Sequence, residues 1–254
     1  MSTDRKIALV TGGSRGIGRD IALSLAKKGI GVILTFHSNE LAGQEVVNKI
    51  KSMGVRAAAI QLDSGNTNQF DTFLKAFLEC LQTEFNATTF NYLINNAGTG
   101  SYGSVINTTE EVFDSLLNIH FKGVYFLTQK ILPLMNDGGS IINISSGLTR
   151  VCFPNVSAYA SMKGAIETYT KCLAKELGSR MIRANVVAPG AIATDFGGGG
   201  NKTDEAKRQV IGSITALGRV GEPEDIGSVV AFLCTPEAGW LNGQRVELSG
   251  GMAL

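Results

Sequence analysis

The fold is decided by the stretch Thr11-Gly12-Gly13-Ser14-Arg15-Gly16-Ile17-Gly18, which follows a short apolar run that begins at Ile7. From Ile17 onward, Ile21 and Leu25 repeat at four-residue spacing, as on one face of a helix. A strand, a glycine-rich turn and a helix in this order aim backbone N–H groups and the positive end of a helix dipole at a pyrophosphate. The alternative is an ordinary tight turn. The position of the glycine-rich stretch directly after the first strand favours dinucleotide binding over that alternative.

Seven short apolar or β-branched runs alternate with helical patterns along the chain, and we read each run as a buried strand. The runs are Ile7 to Thr11, Val32 to Phe36, Arg56 to Leu62, Tyr92 to Asn95, Ile141 to Ser145, Ile182 to Val187 and Arg245 to Leu248. Strands that alternate with helices form parallel sheets with helices on both faces. We therefore expect an α/β fold of the Rossmann type, with a doubly wound, seven-stranded parallel sheet. No linker or repeat divides the chain, so a single domain over residues 1–254 is expected.

Composition excludes several classes of partner. Lys and Arg number 23 against 22 for Asp and Glu, so the net charge of +1 gives no attraction to nucleic acid or to an anionic membrane. No apolar stretch reaches the roughly 20 residues of a membrane span. The four cysteines lack CxxC spacing and there are two histidines, which argues against a metal site. The start of the chain does not read as a secretory signal, and we expect a cytoplasmic protein.

Tyr159 and Lys163 stand four residues apart in a helical pattern from Ser157 to Leu177, so both side chains emerge on one face. A phenol ionises near pH 10, and a nearby ammonium stabilises the phenolate and lowers that pKa. Ser146 lies just beyond the fifth strand, at the edge where open α/β sheets bind ligands. The three residues predict proton transfer to or from a ligand oxygen at this edge, with the serine hydroxyl donating to that oxygen.

Five motifs in a fixed order resemble the short-chain dehydrogenase/reductase family. They are the TGxxxGxG turn at 11–18, Asn95-Asn96-Ala97-Gly98, Ser146, the Tyr159 and Lys163 pair in YxxxK spacing, and Pro189-Gly190. The resemblance runs from Lys6 to Gly251. It implies an oxidoreductase that moves a hydride between a nicotinamide cofactor and a carbonyl/alcohol pair, with Tyr159 as the proton donor and acceptor.

The resemblance also implies site residues. The catalytic group comprises Asn118, Ser146, Tyr159 and Lys163, where Asn118 is the asparagine that kinks a helix and holds water beside the lysine. The expected cofactor contacts are Gly12, Ser14, Arg15, Gly16, Ile17, Gly18, His37, Ser38, Asn39, Asp63, Ser64, Asn95, Ala97, Gly98, Tyr159, Lys163, Pro189, Gly190, Ile192 and Thr194. The alternative for Asp63 is that its side chain only forms a local turn. The alternative for His37 is that it is an isolated surface residue without a cofactor contact.

The end of the second strand bears on the choice between NADP(H) and NAD(H). An acidic side chain there accepts hydrogen bonds from the adenine ribose and repels a 2′-phosphate. This chain reads Thr35-Phe36-His37-Ser38-Asn39 without a carboxylate, and Arg15 is placed by the resemblance to face the same ribose. These features favour NADP(H). Glu40 nearby, or a solvated Arg15, would favour NAD(H) instead.

Substrate identity depends on Leu148 to Asn155 and on a substrate loop at about 191–211. The residues Val151, Cys152, Phe153 and Phe196 suggest an apolar pocket. A resemblance to bacterial 3-oxoacyl-carrier-protein reductases implies an acidic carrier protein docking at basic residues such as Arg180. The loop Met135 to Gly139 lacks the lysine and arginine common there, so a general ketone or aldehyde reductase is an equal alternative.

Three further expectations concern assembly, mobility and activity. The region around Trp240 to Gly243 resembles the family's oligomer-forming segment and implies a homotetramer, with a dimer as the alternative. The run Gly197 to Gly200 predicts either a flexible surface loop or a lid that orders over bound ligand. A catalytically silent regulator that senses the dinucleotide is the alternative function. The presence of Ser146, Tyr159 and Lys163 argues against it.

Overall fold

Seven parallel strands form one sheet in the computed structural model, which describes residues 6–254. The strands are β1 (Ile7–Val10), β2 (Gly31–Phe36), β3 (Ala57–Gln61), β4 (Phe90–Asn95), β5 (Met135–Ile144), β6 (Arg183–Pro189) and β7 (Arg245–Leu248). Their order across the sheet is β3-β2-β1-β4-β5-β6-β7. The seven-stranded, doubly wound parallel sheet predicted from the sequence is confirmed.

Helices cover both faces of this sheet. They are α1 (Gly16–Lys27), α2 (Glu40–Ser52), α3 (Phe70–Phe85), α4 (Glu110–Leu117), α5 (Gly123–Ile131), α6 (Ser157–Glu176), α7 (Gly200–Thr203), α8 (Glu205–Ser213) and α9 (Glu224–Leu233). A π-helical turn, Asn118–Lys122, joins α4 to α5. Among residues 6–254, no helix combines the length and apolarity that crossing a membrane requires.

The two faces of β1 show how the sheet is buried on both sides. Ala8 and Val10 pack into a core with Ile21 of α1, whereas Ile7 and Leu9 pack into a second core with Phe77 of α3. Side chains alternate between faces along a strand, so an uninterrupted apolar run is what a strand between two helical layers requires. Because both faces of the strands are buried, every strand position tends to be apolar, and continuous apolar runs therefore identified the strands.

The site is positioned by the point where the strand order reverses. β1 has β2 on one side and β4 on the other, and the connections leave these strands in opposite directions. A crevice forms at the carboxyl ends of strands where this happens. The glycine turn follows β1 and Asn95-Asn96-Ala97-Gly98 follows β4, so both motifs lie at the crevice.

β5 differs from its sequence prediction, because it begins at Met135 and not at Ile141. Residues 136–139 are Asn, Asp, Gly and Gly, which are depleted in strands, and pattern alone gave them no strand character. Met135 pairs with Phe90 and Ser140 pairs with Tyr92, so residues 136–139 form an irregularity between two paired positions.

Candidate active site

The glycine turn is fixed to β2 by two backbone donors. The N–H of Gly12 donates to Thr35 Oγ1 at 3.0 Å, and the N–H of Gly13 donates to the Thr35 carbonyl at 2.9 Å. Gly12 and Gly16 have φ of +64° and +53°, a conformation that side chains other than glycine rarely adopt. A Cβ on Gly18 would lie 2.2 Å from the Gly12 carbonyl oxygen. The close path of the turn therefore requires glycine.

Asn96 closes the turn from the β4 side. Its Nδ2 donates to the carbonyls of Thr11 and Gly12 at 2.9 and 3.2 Å, and the N–H groups of Asn96 and Ala97 donate to Thr11 Oγ1 at 3.0 Å. Sequence reasoning omitted Thr11, Thr35 and Asn96 from the site. The second asparagine of the Asn95-Asn96 pair was the available signal for one of them.

The start of α1 fits a phosphate group. Arg15 is the N-cap residue but makes no side-chain capping bond within the described chain, so the first-turn N–H groups face the crevice without a side-chain partner. The Arg15 side chain is exposed, and residues 6–254 contain no ion-pair partner for it. Ser14 and Ile17 lie beside it in the same turn, partly exposed. These features fit a phosphorylated dinucleotide.

Residues at the ends of β2 and β3 lie close together at the crevice rim. His37 Nε2 is 3.8 Å from Asp63 Oδ2. Asp63 Oδ1 also accepts from the N–H of Gly65, so this carboxylate shapes its own turn. Asn39 caps α2 by accepting from the N–H of Ala42 at 3.0 Å, next to an exposed Ser38. The rim has no carboxylate directly at the end of β2.

The structure gives Asn95 a buried environment. Its Nδ2 donates to Asn143 Oδ1 at 2.8 Å and to Thr128 Oγ1 at 3.2 Å. Its side chain thus joins β4 to β5 and α5 below the crevice. The cofactor contact expected of Asn95 stays a prediction, and so does that of the exposed Gly98.

The segment after β6 reaches the glycine turn. A Cβ on Gly16 would lie 3.4 Å from Thr194 Cγ2, so the two motifs are in contact distance. Pro189 ends β6, and the N–H of Gly190 donates to the Leu248 carbonyl at 3.0 Å. Ile192 is buried and forms an isolated bridge with Gly221. Ser64 lies on the other side, with its carbonyl against Gly123.

Ser146, Tyr159 and Lys163 meet at the carboxyl end of β5. Ser146 Oγ accepts from the N–H of Leu148 at 3.2 Å, which leaves its O–H free to donate. Lys163 is buried, and its Nζ donates to the Ile144 carbonyl at 2.8 Å and lies 5.6 Å from the centroid of the Tyr159 ring. An ammonium carries three donors, so two remain for a ligand.

Burial shifts both pKa values. It raises the pKa of the Tyr159 phenol above its usual value, Tyr102 raises it further, and a hydrogen bond with Ser146 opposes the rise. Burial also lowers the pKa of Lys163 to about 8. The sequence predicted a lowered phenol pKa. In the structure burial raises the phenol pKa, and the hydrogen-bond partner of Lys163 Nζ is the Ile144 carbonyl.

An ion-pair network supports Ser146 from behind. Glu167 Oε1 accepts from Arg245 Nε at 2.8 Å, from Ser145 Oγ at 2.8 Å and from Thr149 Oγ1 at 2.7 Å. Arg245 also donates to the Ser146 carbonyl at 3.3 Å. The Ser145 hydroxyl is thus committed to Glu167, whereas that of Ser146 faces the crevice. Sequence reasoning missed Glu167 and Arg245, which lie 78 residues apart.

The π-helical turn brings an unexpected residue to the site. Asn118 begins this turn and is partly exposed, and its carbonyl accepts from the N–H of Gly123. His120, two residues later, is buried and meets the Tyr159 ring edge-on, with ring centroids 5.0 Å apart. The catalytic role expected of Asn118 stays a prediction. The imidazole beside Tyr159 was absent from the predicted site.

Three loops surround the mouth of the site. The N–H of Gly103 donates to the Asn155 carbonyl at 2.9 Å, and a Cβ on Gly197 would lie 2.7 Å from the Tyr102 hydroxyl. Phe196 packs on the Tyr159 ring at a centroid distance of 5.9 Å. Tyr102, Phe153 and Phe196 all expose two-fifths or more of their surface here. The mouth is therefore apolar and aromatic.

Arg180 does not lie at this mouth. It precedes β6, and its Nε donates to Asp137 Oδ1 at 2.8 Å near the start of β5. The starts of parallel strands share the sheet edge opposite to their carboxyl ends. The expected position of Arg180 beside the mouth is therefore wrong, because its guanidinium is paired with Asp137 at the far edge from Ser146, and the carrier-protein contact itself stays a prediction.

No cluster of three or more His, Cys, Asp or Glu side chains suited to a metal ion occurs in the part of the chain that the structure describes. The cysteines Cys80, Cys152, Cys172 and Cys234 are all free thiols.

Comparisons with known proteins agree on one family. A family model described as enoyl-(acyl carrier protein) reductase matches residues 12–253. A hydroxynaphthalene reductase-like protein of Metarhizium brunneum is 35% identical, over 97% of this chain and 94% of the relative. The crystal structure of the angucycline C-6 ketoreductase LanV with bound NADP has a TM-score of 0.93 at 36% identity, covering 98% of this chain and 95% of that one.

A short-chain dehydrogenase/reductase from Serratia marcescens superimposes with a TM-score of 0.90 at 30% identity, covering 98% of each chain. Together with the ordered motifs, the sheet topology and the family model, these likenesses extend over almost the whole chain. The chain belongs to the short-chain dehydrogenase/reductase family.

Proposed function

We propose that this protein is an NADP(H)-dependent reductase of ketones and aldehydes. The observation that carries the proposal is the meeting of Ser146, Tyr159 and Lys163 at the sheet edge that also carries the glycine turn. The uncapped start of α1 and the free Arg15 side chain support a cofactor with a 2′-phosphate. The NADP bound to the angucycline ketoreductase supports the same choice.

The proposed chemistry divides the work among three side chains. NADPH, when bound, supplies the hydride. Tyr159 donates its proton to the carbonyl oxygen, and a raised phenol pKa keeps that proton in place at neutral pH. The Ser146 O–H donates a hydrogen bond to the same oxygen and stabilises its developing charge. Lys163 uses its remaining donors to hold the ribose and to return a proton to Tyr159. Oxidation of an alcohol reverses each proton movement.

The substrate is proposed to be a free ketone with an apolar, ring-bearing body. Tyr102, Phe153 and Phe196 offer aromatic surface at the mouth, in the segments 98–108, 148–155 and the substrate loop at 191–211. The hydroxynaphthalene reductase-like relative supports a flat aromatic substrate. With Arg180 paired at the far edge, a carrier-linked 3-oxoacyl thioester has less support.

The protein is further proposed to be a homotetramer. The Trp240 side chain is 99% exposed in the single chain, and Phe113, Tyr125 and Phe126 of α4 and α5 are also exposed. Exposed large apolar side chains, of which Tyr125 and Phe126 are in contact, favour interfaces between copies. Light scattering coupled to size exclusion measures the mass. A purely monomeric protein at micromolar concentration would contradict this assignment.

The test begins with calorimetric titration of the protein with NADPH and with NADH. An absorbance assay at the nicotinamide band then compares aromatic ketones, simple ketones and an acetoacetyl thioester. We expect tighter binding of NADPH and fastest turnover of the aromatic ketones. Tyr159→Phe is expected to lower kcat at least ~10²-fold while NADPH still binds. Near-normal turnover by that variant would falsify the proton-transfer role, and NADPH binding without turnover of any carbonyl would point to the regulator.

A further inference from the structure

His120 is a buried titratable side chain that the proposed chemistry does not use. Its relative exposure is 1%, and it lies in the middle of the π-helical turn Asn118–Lys122. π-Helical turns insert one extra residue into a helix and occur often at functional sites. The turn directs the imidazole toward α6, where its ring meets the Tyr159 ring edge-on at 5.0 Å.

The shorter of two contacts at Nε2 assigns the tautomer of the ring. His120 Nε2 lies 2.7 Å from the Thr99 carbonyl oxygen. The backbone N–H of Thr99 also points at Nε2, at the longer distance of 3.3 Å. The carbonyl at 2.7 Å can only accept a hydrogen bond, and because it is the closer partner we assign the hydrogen to Nε2 as its donor. Burial and the neighbouring Lys163 ammonium lower the pKa of His120 to about 3, which keeps the ring neutral at physiological pH. In a neutral ring with hydrogen on Nε2, Nδ1 bears a free lone pair.

That lone pair has no partner within residues 6–254, although Nδ1 is fully buried. The Nδ1 and Cε1 edge of the ring faces Gly98, where an added Cβ would lie 3.2 Å from Nδ1 and 2.7 Å from Cε1. Gly98 belongs to the segment that follows β4 into the crevice. A buried acceptor without a donor is unfavourable, so an O–H group from a water or a bound ligand satisfies it.

We propose that His120 is a positioning residue for Tyr159. As the neutral tautomer with hydrogen on Nε2, it donates to the Thr99 carbonyl, packs edge-on against the phenol ring, and accepts an O–H hydrogen bond at Nδ1. The inference rests on the proposed reductase function. In this proposal one side chain holds Tyr159 in a fixed position relative to the loop that contains Thr99 and Tyr102, because His120 contacts both. Lys163 and Tyr159 of α6 are the titratable groups that face the ring.

Two variants each remove one part of this role. His120→Phe keeps a flat ring against Tyr159 and removes both nitrogens, whereas His120→Asn keeps an N–H donor for the Thr99 carbonyl and removes the ring. We expect kcat for ketone reduction to fall roughly ten- to a hundredfold in each, with a smaller change in KM and NADPH binding retained, because misalignment of a reacting group lowers the chemical rate. Wild-type kcat per folded molecule in both variants, with only a lowered melting temperature, would overturn the proposal.

Nitrogen-15 NMR of the wild-type protein gives a second readout that needs no turnover and no folded variant. We expect a neutral His120 with hydrogen on Nε2 and no titration between about pH 5 and 8. A shift of the Nδ1 signal on adding NADPH assigns the O–H donor to the ligand, and an Nδ1 signal already hydrogen-bonded in the free protein assigns it to water. Hydrogen on Nδ1, or titration in that range, would overturn the proposal. Inactivity of the wild type toward every carbonyl would instead remove the reductase function and leave this readout standing.

Discussion

Lys163 is the residue at which burial and charge compete most directly. Its ammonium lies in the protein interior, bonded to the Ile144 carbonyl, and burial lowers its pKa to about 8. The Tyr159 pKa moves in the opposite direction for the same reason, since burial penalises the charged form of both groups. In the free enzyme, Lys163 is therefore the group of the pair that titrates near physiological pH.

We predict that kcat/KM for ketone reduction falls as pH rises through about 8, because Lys163 loses the proton that it supplies to Tyr159. The measurement is a pH profile of kcat/KM, which reports groups of the free enzyme. Lys163→Arg is the control: its guanidinium stays charged, so the variant should be slower and should lack the fall near pH 8. The same fall in both proteins would assign it to another group.

Arg15 carries the prediction for cofactor choice. Its exposed guanidinium lacks an ion-pair partner in residues 6–254 and lies at the start of α1. Loss of a hydrogen bond to a charged group is worth about 1.5–3 kcal/mol, so Arg15→Ala should weaken NADPH binding roughly tenfold or more and leave NADH binding little changed. Arg19→Ala, exposed on the same helix, is the matched control for net charge. Equal loss of both cofactors would contradict a 2′-phosphate contact.

Among the elements, the strands were predicted better than the loops and the π-helical turn. A strand between two helical layers must be apolar throughout, so its own residues identify it, as β1 shows. The first part of β5 is joined to β4 only at Met135, and the irregular residues 136–139 that follow have no strand pattern of their own. The π-helical turn likewise has no periodic pattern of its own, so the sequence pointed to Asn118 while the structure brings His120 to Tyr159.

The segment after β6 is the element that closes the site mouth. Gly197 and Gly198 both have positive φ, at 59° and 88°. An added Cβ would meet the Tyr102 hydroxyl at 2.7 Å from Gly197, whereas nothing lies within 4 Å of a Cβ on Gly198. Both glycines have a backbone conformation that favours glycine, and they differ in the contact with Tyr102.

We predict that Gly197→Ala lowers kcat/KM for ring-bearing ketones more than Gly198→Ala does. Both variants carry the backbone strain of alanine at positive φ, and only the first pushes Tyr102 away from the mouth. Steady-state kinetics on aromatic and small ketones make the comparison. Equal effects of the two variants would mean that strain alone matters and that the contact with Tyr102 does not define the pocket.

At the scale of the whole molecule, long-range polar contacts join the site to the end of the chain. Arg150 donates to Glu247 from Nε and Nη2 and to the carbonyls of Met252 and Ala253. Glu247 also accepts from Arg245, which reaches the Ser146 carbonyl. The sequence predicted Ser146 from its position beyond the fifth strand and from the family spacing to Tyr159. It gave no signal for these partners, because ion pairs about 100 residues apart follow no local period.

This network predicts acid lability. Arg150 beside Glu247 holds the pKa of that carboxyl at about 2, below the unfolded value of about 4.3. A group with a depressed folded pKa contributes stability above its unfolded pKa and loses it as pH falls toward the folded value. Unfolding free energy should therefore decline between about pH 4.5 and 2, and less steeply in Glu247→Gln. Denaturant melts across this range provide the measurement. Glu45→Gln, exposed on α2, is the control and should keep the wild-type slope.

The contact between Gly16 and Thr194, together with the bond from Arg245 to Ser146, bears on how the protein is made. During synthesis the glycine turn is made first. Thr194, which packs on it, follows nearly 180 residues later, and Arg245, which donates to the Ser146 carbonyl, follows later still. β7 is the edge strand of the sheet and pairs with β6 alone, yet Arg245 at its start donates to the Ser146 carbonyl. A chain without β7 would therefore lack the support behind Ser146, however completely the rest of the sheet had formed.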